Sequence, residues 1–95
     1  MKATLLIRDR IVLSEAEFVE LVVWHLPVRS PGSTHDFKYR LALVRNGICI
    51  LRYDNEAGKG DHRHVDGSEM PYAFSNVDAL MDDFWGDVDS WRLRT

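Results

Sequence analysis

Apolar residues fall in short alternating runs along most of this chain and in one helical stripe near its end. Ala3 to Ile7 and Ile11 to Leu13 read as a strand pair or one bent strand, with Asp9 and Arg10 at the expected bend. Phe18 to Leu26 is rich in valine and aromatic residues, too β-branched for a helix, and is stopped by Pro27. Phe18, Val22, Trp24 and Leu26 share one side of that strand, and Val19, Leu21, Val23 and His25 share the other. Both sides are largely apolar. The strand is therefore expected to be covered on both faces, or covered on one and paired with a second copy as a homodimer. Val28 to Asp36, with Pro31, Gly32 and several hydroxyl residues, reads as an exposed loop.

Phe37 to Val44 and Ile48 to Tyr53 flank Arg45-Asn46-Gly47, a strong hairpin signal. A two-residue Asn46-Gly47 loop would pair Leu41 with Arg52 and Tyr39 with Asp54, mixing charge into each face. A three-residue loop with Gly47 left-handed instead pairs Leu41 with Leu51, Tyr39 with Tyr53 and Arg40 with Arg52. It leaves one apolar face, of Phe37, Tyr39, Leu41, Leu43, Cys49, Leu51 and Tyr53. Lys38, Arg40, Arg52 and Asp54 then gather on the other. A one-residue slip exchanges faces, so the odd loop is the expected one.

Asp61 to Val65 and Met70 to Phe74 predict a second hairpin around Asp66-Gly67, with Pro71 restricting the latter strand to an edge. Ser75 or Asn76 then caps a helix, and Asp78 complements its first turn. Val77, Leu80, Met81, Phe84, Trp85, Val88 and Trp91 make one apolar stripe, from which Asp82, Asp83, Asp87 and Asp89 mostly point away. Strands followed by a closing helix predict an α+β fold. It is a single small domain, residues 1–95, whose antiparallel sheet of about five to six strands carries the C-terminal amphipathic helix on one face.

Composition narrows the function classes. A length of 95 residues with 45% hydrophobic content suits one folded domain and argues against disorder. The longest apolar run, Leu21 to Trp24, is far too short to span a bilayer, and no secretion signal is expected. Cys49 has no intramolecular partner and lies inside a strand, where burial should leave it inert, so a reducing, cytoplasmic setting is expected. The net charge of −3 hides an asymmetry: residues 1–53 carry eight Lys/Arg against five Asp/Glu, and residues 54–95 carry four against ten. The overall balance does not suggest a nonspecific nucleic-acid coat, and any such contact has to be local.

Chemistry concentrates in Tyr53 to His64, YDNEAGKGDHRH. His62 and His64 alternate to the same side of an extended segment, ~6.5 Å apart along the chain, while Asp61 and Arg63 point the other way. Imidazole gains and loses a proton near neutral pH, so such a pair suits general acid–base work. Cleavage of RNA from its own 2′-hydroxyl needs that pair, together with cations for the charge growing on the phosphate. Lys59, Arg52 and Arg40 are the candidate phosphate contacts, joined by Arg63 from the neighbouring position. Asp54 or Asp61 could orient an imidazole, and Tyr53 could offer a hydroxyl or a stacking surface. The same His-x-His spacing could chelate a metal with Asp61, Asp54 or Glu56, but Lys59 and Arg63 disfavour a cation, so no metal and no other cofactor is expected. Gly58-Lys59-Gly60 lacks the spacing and the following helix of a Walker loop, though its amides could still face an anion. His25 reads as a satisfied structural histidine and His35 as a loop residue without a specific role.

With those residues in place, the chain resembles the TumE family of small bacterial toxin–antitoxin toxins. The resemblance runs through ATLLIRDRIVLSE, EFVELVVWHLP, FKYRLALVRNG, LRYDNEAGKGDHRH, PYAF and DALMDDFW, and the Tyr53–His64 stretch is its specific part. It implies a cytoplasmic toxin acting on RNA, held inactive by a cognate antitoxin protein; the short apolar runs add the expectation of no membrane contact. It carries no assignment of catalytic residues. The expected function is thus a metal-independent endoribonuclease with a histidine acid–base pair. The rival is a non-catalytic binding module whose polar stretch recognises a protein partner.

Overall fold

The computed structural model describes residues 2–29, 34–55 and 60–94. Six strands, β1 (Thr4–Val12), β2 (Glu17–His25), β3 (Phe37–Arg45), β4 (Ile48–Asp54), β5 (His62–Val65) and β6 (Ser68–Pro71), precede one helix, α1 (Val77–Leu93). Each strand pairs antiparallel with the next, so the sheet is an open meander in chain order. The fold is the α+β architecture expected from the pattern.

Strand parity decides what is buried. The odd positions of β2 and β3 (Val19, Leu21, Val23, Tyr39, Leu41, Leu43) join Leu51 and Tyr53 of β4 under Leu80, Phe84 and Val88 of α1. Val22 and Trp24 face the other way and are half-buried. Within the chain itself, α1 covers only one face of β2. β1 is a single strand, and its irregularity falls between Leu5 and Ile7 rather than at Asp9-Arg10.

The β3–β4 hairpin corrects the expected register. Asn46 (φ 52°) and Gly47 (φ 76°) form a two-residue turn with both residues left-handed, which matches the twist of the flanking strands. Arg45 therefore pairs with Ile48 and Val44 with Cys49. A bulge then adds one residue to β4, so Leu43 pairs with Leu51, Leu41 with Tyr53 and Arg40 with Asp54. The bulge restores the segregation of charge from apolar surface that a longer loop was invoked to supply. It also turns Cys49 off the core face, and this cysteine is exposed, not buried.

The second hairpin turns on Asp66 (φ 52°) and Gly67 (φ 83°), and Pro71 lies on the edge strand, as its missing N–H requires. Asn76 caps α1 by accepting from the Ala79 amide at 2.8 Å. Polar bonds then tie the helix to the sheet. Arg63 Nε donates to Asp87 at 2.6 Å, the Tyr53 hydroxyl donates to the same carboxylate, and the Tyr72 hydroxyl donates to Asp83 at 2.5 Å.

Candidate active site

The face of the sheet opposite α1 collects charged and titratable side chains from all six strands. The register sets Asp54 between Arg40 on β3 and His62 on β5, and Arg52 between Ala42 and His64. Glu69 of β6 stands across from His64. Arg8 and Arg10 of β1 reach the same face beside Val22 and Glu20. With Lys38, this face carries five strand cations against the carboxylates of Glu20, Asp54 and Glu69 among the described residues. The helix across the sheet carries Asp78, Asp82, Asp83, Asp87 and Asp89. The charge asymmetry between the two halves of the sequence is thus an asymmetry between two faces.

The two imidazoles are held differently. His62 Nδ1 lies 3.0 Å from the Gly60 carbonyl, to which it donates, leaving Nε2 3.5 Å from Glu69 Oε1. His64 Nε2 lies 3.0 Å from Arg52 Nη2 and must accept, because a guanidinium has no lone pair to offer. His64 Nδ1 stands 3.9 Å from Glu69 Oε2. Arg52 Nε sits 2.7 Å from Asp54 Oδ2, but its N–H does not point along that contact, so the pair is ionic rather than a directed hydrogen bond. The His62 side chain is 18% exposed and that of His64 26%, so both can meet a ligand without rearrangement of the strand.

Not every residue expected here arrives. Tyr53 and Arg63 lie on the helix side, bound to each other (3.1 Å) and to Asp87, so neither faces the histidines. Parity separates them: Tyr53 is odd in β4, and Arg63 alternates away from His62 and His64. Burial and then the Asp87 bond push the Tyr53 hydroxyl pKa up, while the Asp87 bond raises that of Arg63 further. Both groups are structural. Asp61 orients an imidazole, but that of His35: His35 Nε2 lies 2.8 Å from Asp61 Oδ1, and the Tyr39 hydroxyl donates to the same oxygen at 2.6 Å. His35 stacks on Phe74 with centroids 3.8 Å apart, so this loop histidine has a specific packing role. His25 pairs with Asp36 at 2.9 Å, as a structural histidine should. Lys59, like Glu56 and Gly58, lies outside the described residues.

Two contributors escaped the sequence reading. Glu69 was legible, since a two-residue Asp66-Gly67 turn places it opposite His64. Asn55 was not. It accepts from the Tyr39 amide (3.0 Å) and donates to the Phe37 carbonyl (2.6 Å), extending the β3–β4 ladder through its side chain to the point where the chain leaves β4. No spacing rule announces such a bond. Among the described residues, no group of three His, Cys, Asp or Glu side chains is placed to hold a metal ion. The guanidinium against His64 Nε2 likewise opposes a cation there.

The architecture and this face define a small α+β domain with one sheet face covered by an acidic helix and one left open with histidines and cations. The chain belongs to the TumE family: the family model described as Toxin TumE matches residues 2–92, nearly its whole length. That family name suggests a toxin of a toxin–antitoxin system, which implies an antitoxin as partner. Neither the curated proteins nor the solved structures gave a match. Among the described residues, no helix is long and apolar enough to cross a membrane.

Proposed function

We propose that this protein is a cytoplasmic toxin that cleaves RNA without a metal, using His62 and His64 on the open sheet face as its acid–base pair. The observation that supports it most is the gathering of both imidazoles with Arg52 on one exposed face, with Arg52 Nη2 3.0 Å from His64 Nε2. His64 carries a lone pair on the nitrogen nearest the guanidinium and is the base. An incoming phosphate draws Arg52 to its own oxygens, which uncovers that lone pair for the 2′-hydroxyl proton. His62, with Nε2 beside Glu69, is the acid that protonates the leaving 5′-oxygen. Arg52 and Arg40 hold the phosphate as its charge grows, and Lys59 is a further candidate for that clamp. Asp54 keeps Arg52 aimed across the strands, and Glu69 positions both rings. The cognate antitoxin would silence the protein by covering this face.

The test is cleavage of a labelled RNA by purified protein in EDTA. Wild type cuts, with a bell-shaped dependence on pH, and the His62→Ala/His64→Ala variant loses roughly 10²–10⁴-fold in rate. Undiminished cutting by that variant would remove the histidines from the mechanism. Absence of cutting by the wild type, together with a stable complex with the neighbouring gene product, would favour the binding-module reading.

A further inference from the structure

Beside the histidine cluster, and on the same face, lies a concavity of about 360 Å³ that shares only Arg40 with the proposed phosphate clamp. Ala3, Val22, Trp24, Leu26, Lys38 and Arg40 line it. Its floor is apolar, which is unusual on an otherwise charged surface, and its rim is cationic. Trp24 is only half-buried, and Arg8 lies 5.9 Å from its ring centroid. Among the described residues, neither Lys38 nor Arg40 has a carboxylate partner. Core packing does not require an indole here, since the covered face of β2 is already filled by Val19, Leu21 and Val23.

The geometry points to this concavity as the seat of a nucleobase of single-stranded RNA, stacked on the Trp24 indole while Lys38 holds the adjoining phosphate. Three features favour that occupant. A half-buried indole lining the concavity offers a π-face to any base. The cations at the rim match a polyanion and would repel the basic surface of another copy of this chain. Arg40 belongs both to this rim and to the cross-strand row Val22, Arg40, Asp54, His62, so a strand held here continues to the histidines. That row spans three inter-strand spacings, about 14 Å, which places the seated base on a nucleotide flanking the scissile phosphate. The inference deepens the ribonuclease reading and rests on it for the direction of the strand, but base stacking has its own readout.

The experiment uses a short fluorescent 2′-O-methyl RNA, which cannot be cut because its attacking hydroxyl is blocked. Its affinity is measured by anisotropy for wild type, Trp24→Ala, Trp24→Phe, and His62→Ala/His64→Ala. Trp24→Ala should weaken binding roughly tenfold or more, and Trp24→Phe should restore most of the loss. One abasic position in the oligonucleotide should weaken wild type and leave Trp24→Ala unaffected. Far-UV circular dichroism of Trp24→Phe confirms the fold. Equal affinity of wild type and Trp24→Ala would overturn the base seat even if the histidines prove catalytic. A Trp24-dependent affinity in a protein that cuts nothing would uphold the seat while the nuclease reading fails. A wild-type dimer that Trp24→Ala converts to monomer, with no Trp24 effect on RNA affinity, would assign the face to a second copy and overturn the proposal.

Discussion

The two faces of one sheet are built from the same strands, and only alternation separates them. On the helix side, Tyr53, Arg63 and Asp87 spend their polar atoms on one another at the edge of the apolar core. On the open side, Arg52, Asp54, His62, His64 and Glu69 are just as closely grouped yet stay within reach of solvent. Similar residue types thus serve stability on one face and are available for chemistry on the other. What differs is the choice of partner, since Arg63 and Asp87 are about as exposed as His62 and His64. Arg63 and Arg52 sit on neighbouring strands, but a carboxylate from the helix claims the first and an imidazole shares the second.

Substitutions on the covered face should act on folding. Phe84→Ala removes a fully buried ring from beneath the helix and should cost about 3–5 kcal/mol, enough to unfold much of so small a domain at 37 °C. Urea denaturation measures it, and a loss below 1 kcal/mol would mean that α1 is not the lid of this core. Next comes Asp87→Ala, which leaves the Arg63 guanidinium and the Tyr53 hydroxyl without their shared acceptor and should cost about 1.5–3 kcal/mol. RNA cleavage by the surviving folded fraction should stay at the wild-type rate, because Asp87 is on the far side of the sheet.

Alkali probes the same face. Burial first, and then bonds to Asp61, Asp87 and Asp83, raise the hydroxyl pKa values of Tyr39, Tyr53 and Tyr72 above the ordinary 10.0. A raised value in the fold means that the protonated hydroxyl is the stabilised form. The contribution is complete below about pH 10 and is lost as pH rises from there toward the folded values. Urea midpoints should be level up to that point and then fall, less steeply for Tyr72→Phe. A curve that stays level well beyond pH 10 would contradict these bonds. The smallest effect is expected at Gly86, where an added Cβ meets nothing within 4 Å. Gly86→Ala should raise stability by ~1 kcal/mol, whereas Gly67→Ala, at φ 83°, should lower it.

The alternation that sorts these faces was largely legible in the sequence. Helix, cap, edge proline and both hairpins follow from local patterns, and the paired histidines share a face with Arg52 and Arg40, of which Arg52 reaches His64. The register of β3 against β4 was not legible, because a two-residue turn plus a bulge conserves parity as well as a longer loop does. Parity was also the missed argument against Tyr53 and Arg63, since both alternate away from the histidines and were kept only for their nearness in the chain. The bonds of His35 to Asp61 and of Asn55 to β3 join segments far apart in sequence, where no periodicity speaks. Trp24 showed itself only as a surplus of apolar residues on β2. That surplus becomes meaningful once one face of the strand is known to be covered.

The most direct test of the open face is growth after induced expression of wild type and of His62→Ala/His64→Ala, with soluble protein matched by immunoblot. The account predicts arrest by the wild type, relief by the neighbouring gene product, and normal growth with the folded double variant. Equal arrest by both proteins would contradict it.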